Sequence, residues 1–168
     1  TSETTSIPSG DAARDDSLVC MGNSLIDCDA AFPCGPKTMN RLLAFYYGGA
    51  PDDRGRTLAE ILRQDDVWLE HTHDCIQWLF PMRVASGVNP SAPTVTDEVA
   101  RAFQTDELLR RHLLASFVRM LSFFGLQRQD GAIVQGPNWP QRKRDWFTTP
   151  THNSLRITRI LTSLATLG

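Results

Sequence analysis

Between Thr105 and Gly125 the chain carries a pattern that leaves little choice of fold. Leu109, Leu113, Phe117, Met120, Leu121 and Phe124 recur at spacings of mostly three and four residues, which lays them along one face of a helix. A stripe this apolar has to be buried, so the rest of the chain must supply surfaces to cover it. Thr105-Asp106-Glu107 opens the segment with residues that suit the positive end of a helix, and Gly125 is a natural residue to close it.

Other segments fit around this helix. From Lys37 onward, Met39, Leu42, Leu43 and Tyr46 share a helical face until Gly48-Gly49 and Pro51 end it. Thr57-Leu58-Ala59-Glu60 has the form of a capping box. Trp68, Leu69, Thr72, Cys75, Ile76 and Leu79 then keep a helical period that predicts helix as far as Pro81. The run SGVNPSAPT at 86–94 reads as a loop, Thr96 caps a helix over 97–103, and Ile157, Ile160, Leu161, Leu164 and Leu167 line one side of a closing helix. Between Gln127 and Pro150 the Gly, Pro and Asn breaks predict a long ordered loop around one short run, Ala132-Ile133-Val134, suited to a small strand.

The expectation is therefore a mainly α protein: a compact single-domain helical fold of about five to six helices with long ordered loops and at most a minor strand pair. It covers residues 37–168. Residues 1–36, rich in Ser, Thr, Asp, Pro and Gly, are expected to be a flexible N-terminal arm.

Composition narrows the function. A net charge of −2 argues against a nucleic-acid binder, which needs clustered Lys and Arg. No apolar run approaches the roughly 20 residues of a transmembrane helix, and the N-terminal stretch lacks the regions of a secretory signal. Cys20, Cys28, Cys34 and Cys75 fit no paired metal spacing and are expected to be reduced thiols in a cytoplasmic setting. Nucleotide-binding Gly loops, nucleophile elbows and H-E-x-x-H are all missing.

Two polar stripes are the candidate functional features. On the expected helix ending at Pro81, Glu70, His73 and Gln77 stand at i, i+3 and i+7 and point the same way. His73 there is either a ligand, metal or proton-transfer group or part of a structural network with the last helix. In that last helix His152, Arg156, Arg159 and Ser163 make a cationic stripe beside the apolar face. Two guanidiniums suit carboxylate or phosphate recognition; the alternative is that they pair with Glu70, Asp74 or a loop carbonyl and lock the two segments together. His71 and Cys75, at i and i+4 on one helix, have a metal-chelating spacing but supply only two ligands. The run Gln141-Arg142-Lys143-Arg144 between Trp139 and Trp146 reads as a solvated loop rather than a stacking surface.

Two stretches carry a resemblance: LEHTHDCIQWLFP at 69–81 and HNSLRITRILTSLATLG at 152–168. They look like the signature blocks of the opioid growth factor receptor conserved region. FYYGGAPDDRGRTLAEIL, VNPSAPTVT and RMLSFFGL resemble other parts of the same family, so the likeness runs from about Asn40 to Gly168. Where the family usually carries an aromatic residue after the His-Asp pair, this chain has Cys75. The resemblance implies a receptor-like module, since animal members are described as receptors for a small opioid peptide, and it admits nuclear or peripheral membrane association.

Together these readings place a pocket between the two signature helices, lined by His73, Gln77, Trp78, His152, Asn153, Arg156 and Arg159, for a small anionic or peptide ligand. The alternative is a small metal- or haem-dependent enzyme acting on an aromatic or acidic metabolite. His73 and His152 would be its catalytic candidates, His71, His73 and Cys75 its weak metal candidates, and haem or non-haem iron on His73 or His152 would leave no sequence signature.

Overall fold

In the computed structural model the stripe between 105 and 125 is a helix of 17 residues, Glu107–Phe123, which is α6 in chain order. Asp106 caps it by accepting the Leu108 and Leu109 amides at 2.8 and 3.2 Å, and the Tyr47 hydroxyl donates to the same carboxylate at 2.6 Å. Leu109, Leu113, Met120 and Phe123 are buried. The structure describes Thr1, residues 39–87 and residues 89–168. The expected arm at 1–36 and the helix start at Lys37 therefore lie outside the described residues.

The remaining helices are α1 (Arg41–Tyr46), α2 (Leu58–Arg63), α3 (Asp66–His71), α4 (Ile76–Leu79), α5 (Asp97–Thr105), α7 (Trp139–Arg142) and α8 (His152–Leu167). A single 3-10 turn spans Lys143–Asp145. α1, α2 and α5 pack along α6, and α8 closes against α5. Inside, Phe45, Tyr46, Trp78 and Phe103 meet edge-on or tilted with centroids 4.8–5.7 Å apart. Such contacts add to the apolar area they bury. The buried Tyr46 hydroxyl donates to the Leu79 carbonyl, and the buried His112 imidazole meets the Tyr46 carbonyl, so α1 is bound to both α4 and α6 through polar groups in the core.

The mainly helical expectation holds, with eight helices among the described residues rather than five or six. The difference lies in the stretch from Thr57 to Pro81, where the spacing predicts a helix that Asp65-Asp66 either restarts or continues as far as Pro81, and three short helices occur. Asp65 restarts the chain by capping α3 at the Trp68 amide, while Arg119 of α6 bonds the Gln64 carbonyl and the Asp66 carboxylate, both at 2.8 Å. The second break, at Thr72, comes from a β-branched residue followed by His and Asp, all weak helix formers, and from tertiary partners that take the freed groups.

Residues 127–150 hold more order than a loop. β1 (Leu126–Gln129) and β2 (Ala132–Gln135) pair antiparallel, with Leu126 opposite Gln135 and Gln129 opposite Ala132. Their connection is Asp130-Gly131, both at positive φ (50° and 82°), the Asp-Gly turn that suits the twist of a two-residue hairpin. α7 and the 3-10 turn follow. Trp139, Trp146 and Phe147 pack on one another with centroids 5.3–5.8 Å apart, and the Trp146 indole donates to the Phe124 carbonyl at 3.0 Å.

The outer side of α8 is apolar: Leu155 is 76% and Leu161 60% exposed. The hydroxyls of Thr158, Thr162 and Thr166 turn back to carbonyls of their own helix at 2.8–3.0 Å. Among the described residues no helix is long and apolar enough to cross a membrane.

Gly125 lets α6 pass into the hairpin at φ +80°, and a Cβ there would lie 2.9 Å from the Trp139 Cα. Gly125→Ala is therefore expected to destabilise the fold by about 2 kcal/mol or more, through both strain and collision. Urea denaturation measures it; a loss below about 0.5 kcal/mol would mean that α7 does not press on this turn.

Candidate functional site

α3 ends at His71 with its last carbonyls unanswered by the helix, as every helix end does. The answer comes from α8. Arg156, only 6% exposed, donates through Nη2 to the Leu69 carbonyl at 2.8 Å and the Thr72 carbonyl at 3.3 Å. Its Nη1 reaches Asn153 Oδ1 at 3.2 Å. A cation at a helix C-terminus is favourable for both partners, although burial, the largest influence, holds the Arg156 pKa below its ordinary value.

Asn153 is fully buried and donates to the Glu70 carboxylate at 3.3 and 3.5 Å. The same carboxylate takes His152 Nε2 at 2.9 Å and Arg142 Nη2 at 3.4 Å. Arg142 also donates from Nε to the Phe123 carbonyl at 2.6 Å, with its guanidinium 4.4 Å from the centroid of the Phe123 ring. Glu70 thus joins α3, α7 and α8. His73 lies in the turn between α3 and α4, with Nε2 2.7 Å from the Glu70 backbone carbonyl and its ring stacked on that of His152 at 4.8 Å and 16°. Each imidazole keeps an Nδ1 without a partner among the described residues.

Asp74, next in the turn, is held from the other side by Arg54 and Arg56, each with a contact of 3.1 Å. Partial burial pushes its carboxyl up, but the two guanidiniums outweigh this and hold it below its ordinary value. Arg56 is itself anchored to the buried Asp52 at 2.7 Å.

Between α4, the loop carrying Met82, Ser86 and Asn89, and α8 runs a groove of about 470 Å³. It brings together His73, Gln77, His152, Arg156 and Arg159 of the residues expected from the sequence, with Ile76, Met82 and Leu155 as apolar wall. Two of these groups stand out chemically. Half-buried Arg159 makes one hydrogen bond, from Nη1 to the Phe80 carbonyl at 3.3 Å. It has no carboxylate among the described residues, and burial draws its pKa down with nothing to offset it. Gln77 is 7% exposed and donates from Nε2 to Ser86 Oγ at 3.2 Å, while its Oε1 has no partner among the described residues.

Two expected residues sit elsewhere. Asn153 lies behind the groove, in the Glu70 network. Trp78 belongs to the core at 1% exposure, tilted on Phe45, with the Arg41 guanidinium 5.3 Å from its ring centroid. The expected single-helix geometry for Glu70, His73 and Gln77, and for His71 with Cys75, is overturned by the break at Thr72. His71 ends α3 with Nδ1 on the Val67 carbonyl at 2.8 Å. Cys75 turns inward, its thiol 3.4 Å from the Thr72 carbonyl and pushed up to about 11, chiefly by burial. Among the described residues no group of three or more His, Cys, Asp or Glu is arranged to hold a metal. Arg142 was expected in a solvated run and instead closes the Glu70 cluster; nothing in a stretch of adjacent basic residues distinguishes it from Lys143 or Arg144. Met82, Ser86 and Asn89 sit in a loop whose composition marks only a turn.

The family described as the opioid growth factor receptor (OGFr) conserved region matches residues 40–168. The opioid growth factor receptor of Mus musculus is 41% identical over 103 residues, 60% of this chain and 16% of that protein. Opioid growth factor receptor-like protein 1 of Mus musculus is 41% identical over 133 residues, 75% of this chain and 28% of the relative. The corresponding receptor of Homo sapiens is 37% identical over 103 residues. The chain thus spans 15–28% of the length of these relatives. No solved structure matches it.

The two arginines of α8 should separate by stability. Arg156→Ala leaves the buried Leu69 carbonyl without a donor and weakens the Thr72 and Asn153 contacts, and is expected to cost about 2–4 kcal/mol in urea denaturation, against less than about 1 kcal/mol for Arg159→Ala. Equal losses would contradict the unequal anchoring seen here.

Proposed function

The chain belongs to the opioid growth factor receptor conserved-region family, and on that footing we propose that it is a ligand-binding module with its site in the groove between α4 and α8. The guest is a small anionic or peptide ligand. One observation carries this reading: a half-buried guanidinium, Arg159, lines the groove without a carboxylate partner among the described residues. A cation removed from water and left without a counter-ion is unfavourable, and an anionic group on the guest would complete it through a charge-assisted hydrogen bond.

The other residues divide the work. Arg156 lines the groove, and Asn153 and Glu70 behind it help hold the two signature segments in register. His73 and His152 contribute ring edges with unpartnered Nδ1 atoms, and Ile76, Met82 and Leu155 give the guest apolar contact. Trp78 acts from behind, fixing α4 against the core. The relatives are named as receptors; a receptor role for this chain is part of the same proposal.

A second reading, an enzyme, has one observation in its favour. Glu70 engages His152 Nε2 at 2.9 Å and so orients the ring with Nδ1 available as a proton acceptor, a general-base arrangement.

Sodium acetate, inorganic phosphate and a mixed tripeptide library, titrated into ¹⁵N-labelled protein, test the binding reading. Resonances of Gln77 and of residues flanking Arg159 are expected to shift. Arg159→Gln should weaken the tightest of these guests by about 10–100-fold while the spectrum stays folded. Undiminished binding to that variant, or shifts confined to other surfaces, would refute the placement of the site.

A further inference from the structure

The inner end of the groove carries a second unmet demand, opposite in sign to that of Arg159. Gln77 is 93% buried by its 7% exposure, its Nε2 is committed to Ser86 Oγ, and Oε1 has no donor among the described residues. Buried carbonyl oxygens are normally satisfied, so a guest that fills this end must bring an N–H or O–H. Both groups line the same groove, and Arg159 Nη1 bonds the Phe80 carbonyl at the end of α4, the helix that carries Gln77.

A guest that answers both needs an anion and a hydrogen-bond donor a few bonds apart. A simple carboxylate or a phosphate monoester dianion lacks the donor, and the O–H of inorganic phosphate sits on the same atom as its charge, not a few bonds away. A free amino acid brings an ammonium, which would sit among the guanidiniums of Arg156 and Arg159, while Asp74, the carboxylate lining the groove, is already engaged by Arg54 and Arg56. An acylated amino acid has the anion and a neutral amide N–H on the same Cα. Resting on the binding reading above, we propose that the groove takes an acylated α-amino acid terminus, its carboxylate on Arg159 and its amide N–H on Gln77 Oε1, with an apolar side chain along Ile76, Met82 and Leu155.

This terminus occurs at the C-terminal end of a peptide and in N-acyl amino acids. Four probes separate the possibilities in NMR titrations of the whole chain: N-acetylleucine, N-acetylproline, which has no amide N–H, N-acetylleucinamide, which has no carboxylate, and N-acetyl-Ala-Ala-Leu. N-acetylleucine is expected to bind about tenfold tighter than either the proline or the amide analogue, because each leaves one buried group unanswered. In Gln77→Met the advantage over N-acetylproline should shrink to about twofold or less, and in Arg159→Gln so should the advantage over the amide. Tighter binding of the tripeptide than of N-acetylleucine assigns the site to peptide ends, and equal binding assigns it to the small metabolite.

The outcomes that overturn the proposal are distinct from those that overturn the binding reading. N-acetylproline or the amide binding as tightly as N-acetylleucine removes the proposal and leaves a binding groove. If none of the four probes, nor acetate, phosphate or the tripeptide library, perturbs the groove, both fall. The ligand series on the unaltered protein decides the matter even where Gln77→Met does not fold.

Discussion

A guanidinium taken out of water must have its N–H groups answered, and a helix that stops short must have its last carbonyls answered; Arg156 and the broken end of α3 do this for each other. Without that exchange the Leu69 carbonyl near the end of α3 would be buried with no donor and the Thr72 carbonyl would keep only the weak Cys75 thiol, and α8 would lose a tie that fixes its register against the first signature segment. Because the contact spans 84–87 residues of sequence, it joins the middle of the chain to its end. The Glu70 cluster extends the same junction sideways to α7, and the groove is the space left beside it.

Arg156 and Arg159 stand three residues apart on one helix, yet their surroundings make them different tools. Arg156 is nearly sealed and has three acceptors, two of them backbone carbonyls. Arg159 is half-buried with a single long bond to the end of α4, so much of its hydrogen-bonding capacity remains. Fully engaged groups make walls and incompletely engaged ones make sites, which is why Gln77 and Arg159 carry the functional argument while Asn153 and Arg156 carry the architecture.

Much of this was legible in the residue order. The stripe from Leu109 to Phe124, the capping box at Thr57 and Glu60 and the closing helix from His152 all follow local rules of spacing and capping. The sequence also named five side chains that line the groove, because polar residues in otherwise apolar helices demand partners. What local rules missed were interactions between distant residues. Periodicity alone runs straight through Thr72; the weak helix formers there permit a break, and Arg156, Arg54 and Arg56, none of them near in sequence, take up the groups it frees. Trp78 was expected in the pocket lining, and packing against Phe45 draws it into the core instead. The Asp130-Gly131 turn, by contrast, was a local signal that shows the hairpin plainly once Leu126–Gln129 is set beside Ala132–Gln135.

The inward turn of both arginines has an outward counterpart. They are the only Lys or Arg residues in α8, which contains no Asp or Glu, and its threonine hydroxyls fold back on the helix, so its solvent side shows Leu155, Leu161 and threonine methyl groups. Along that edge α8 itself offers another surface mostly carbon, with the half-buried Arg159 at its groove side as the nearest charge on the helix.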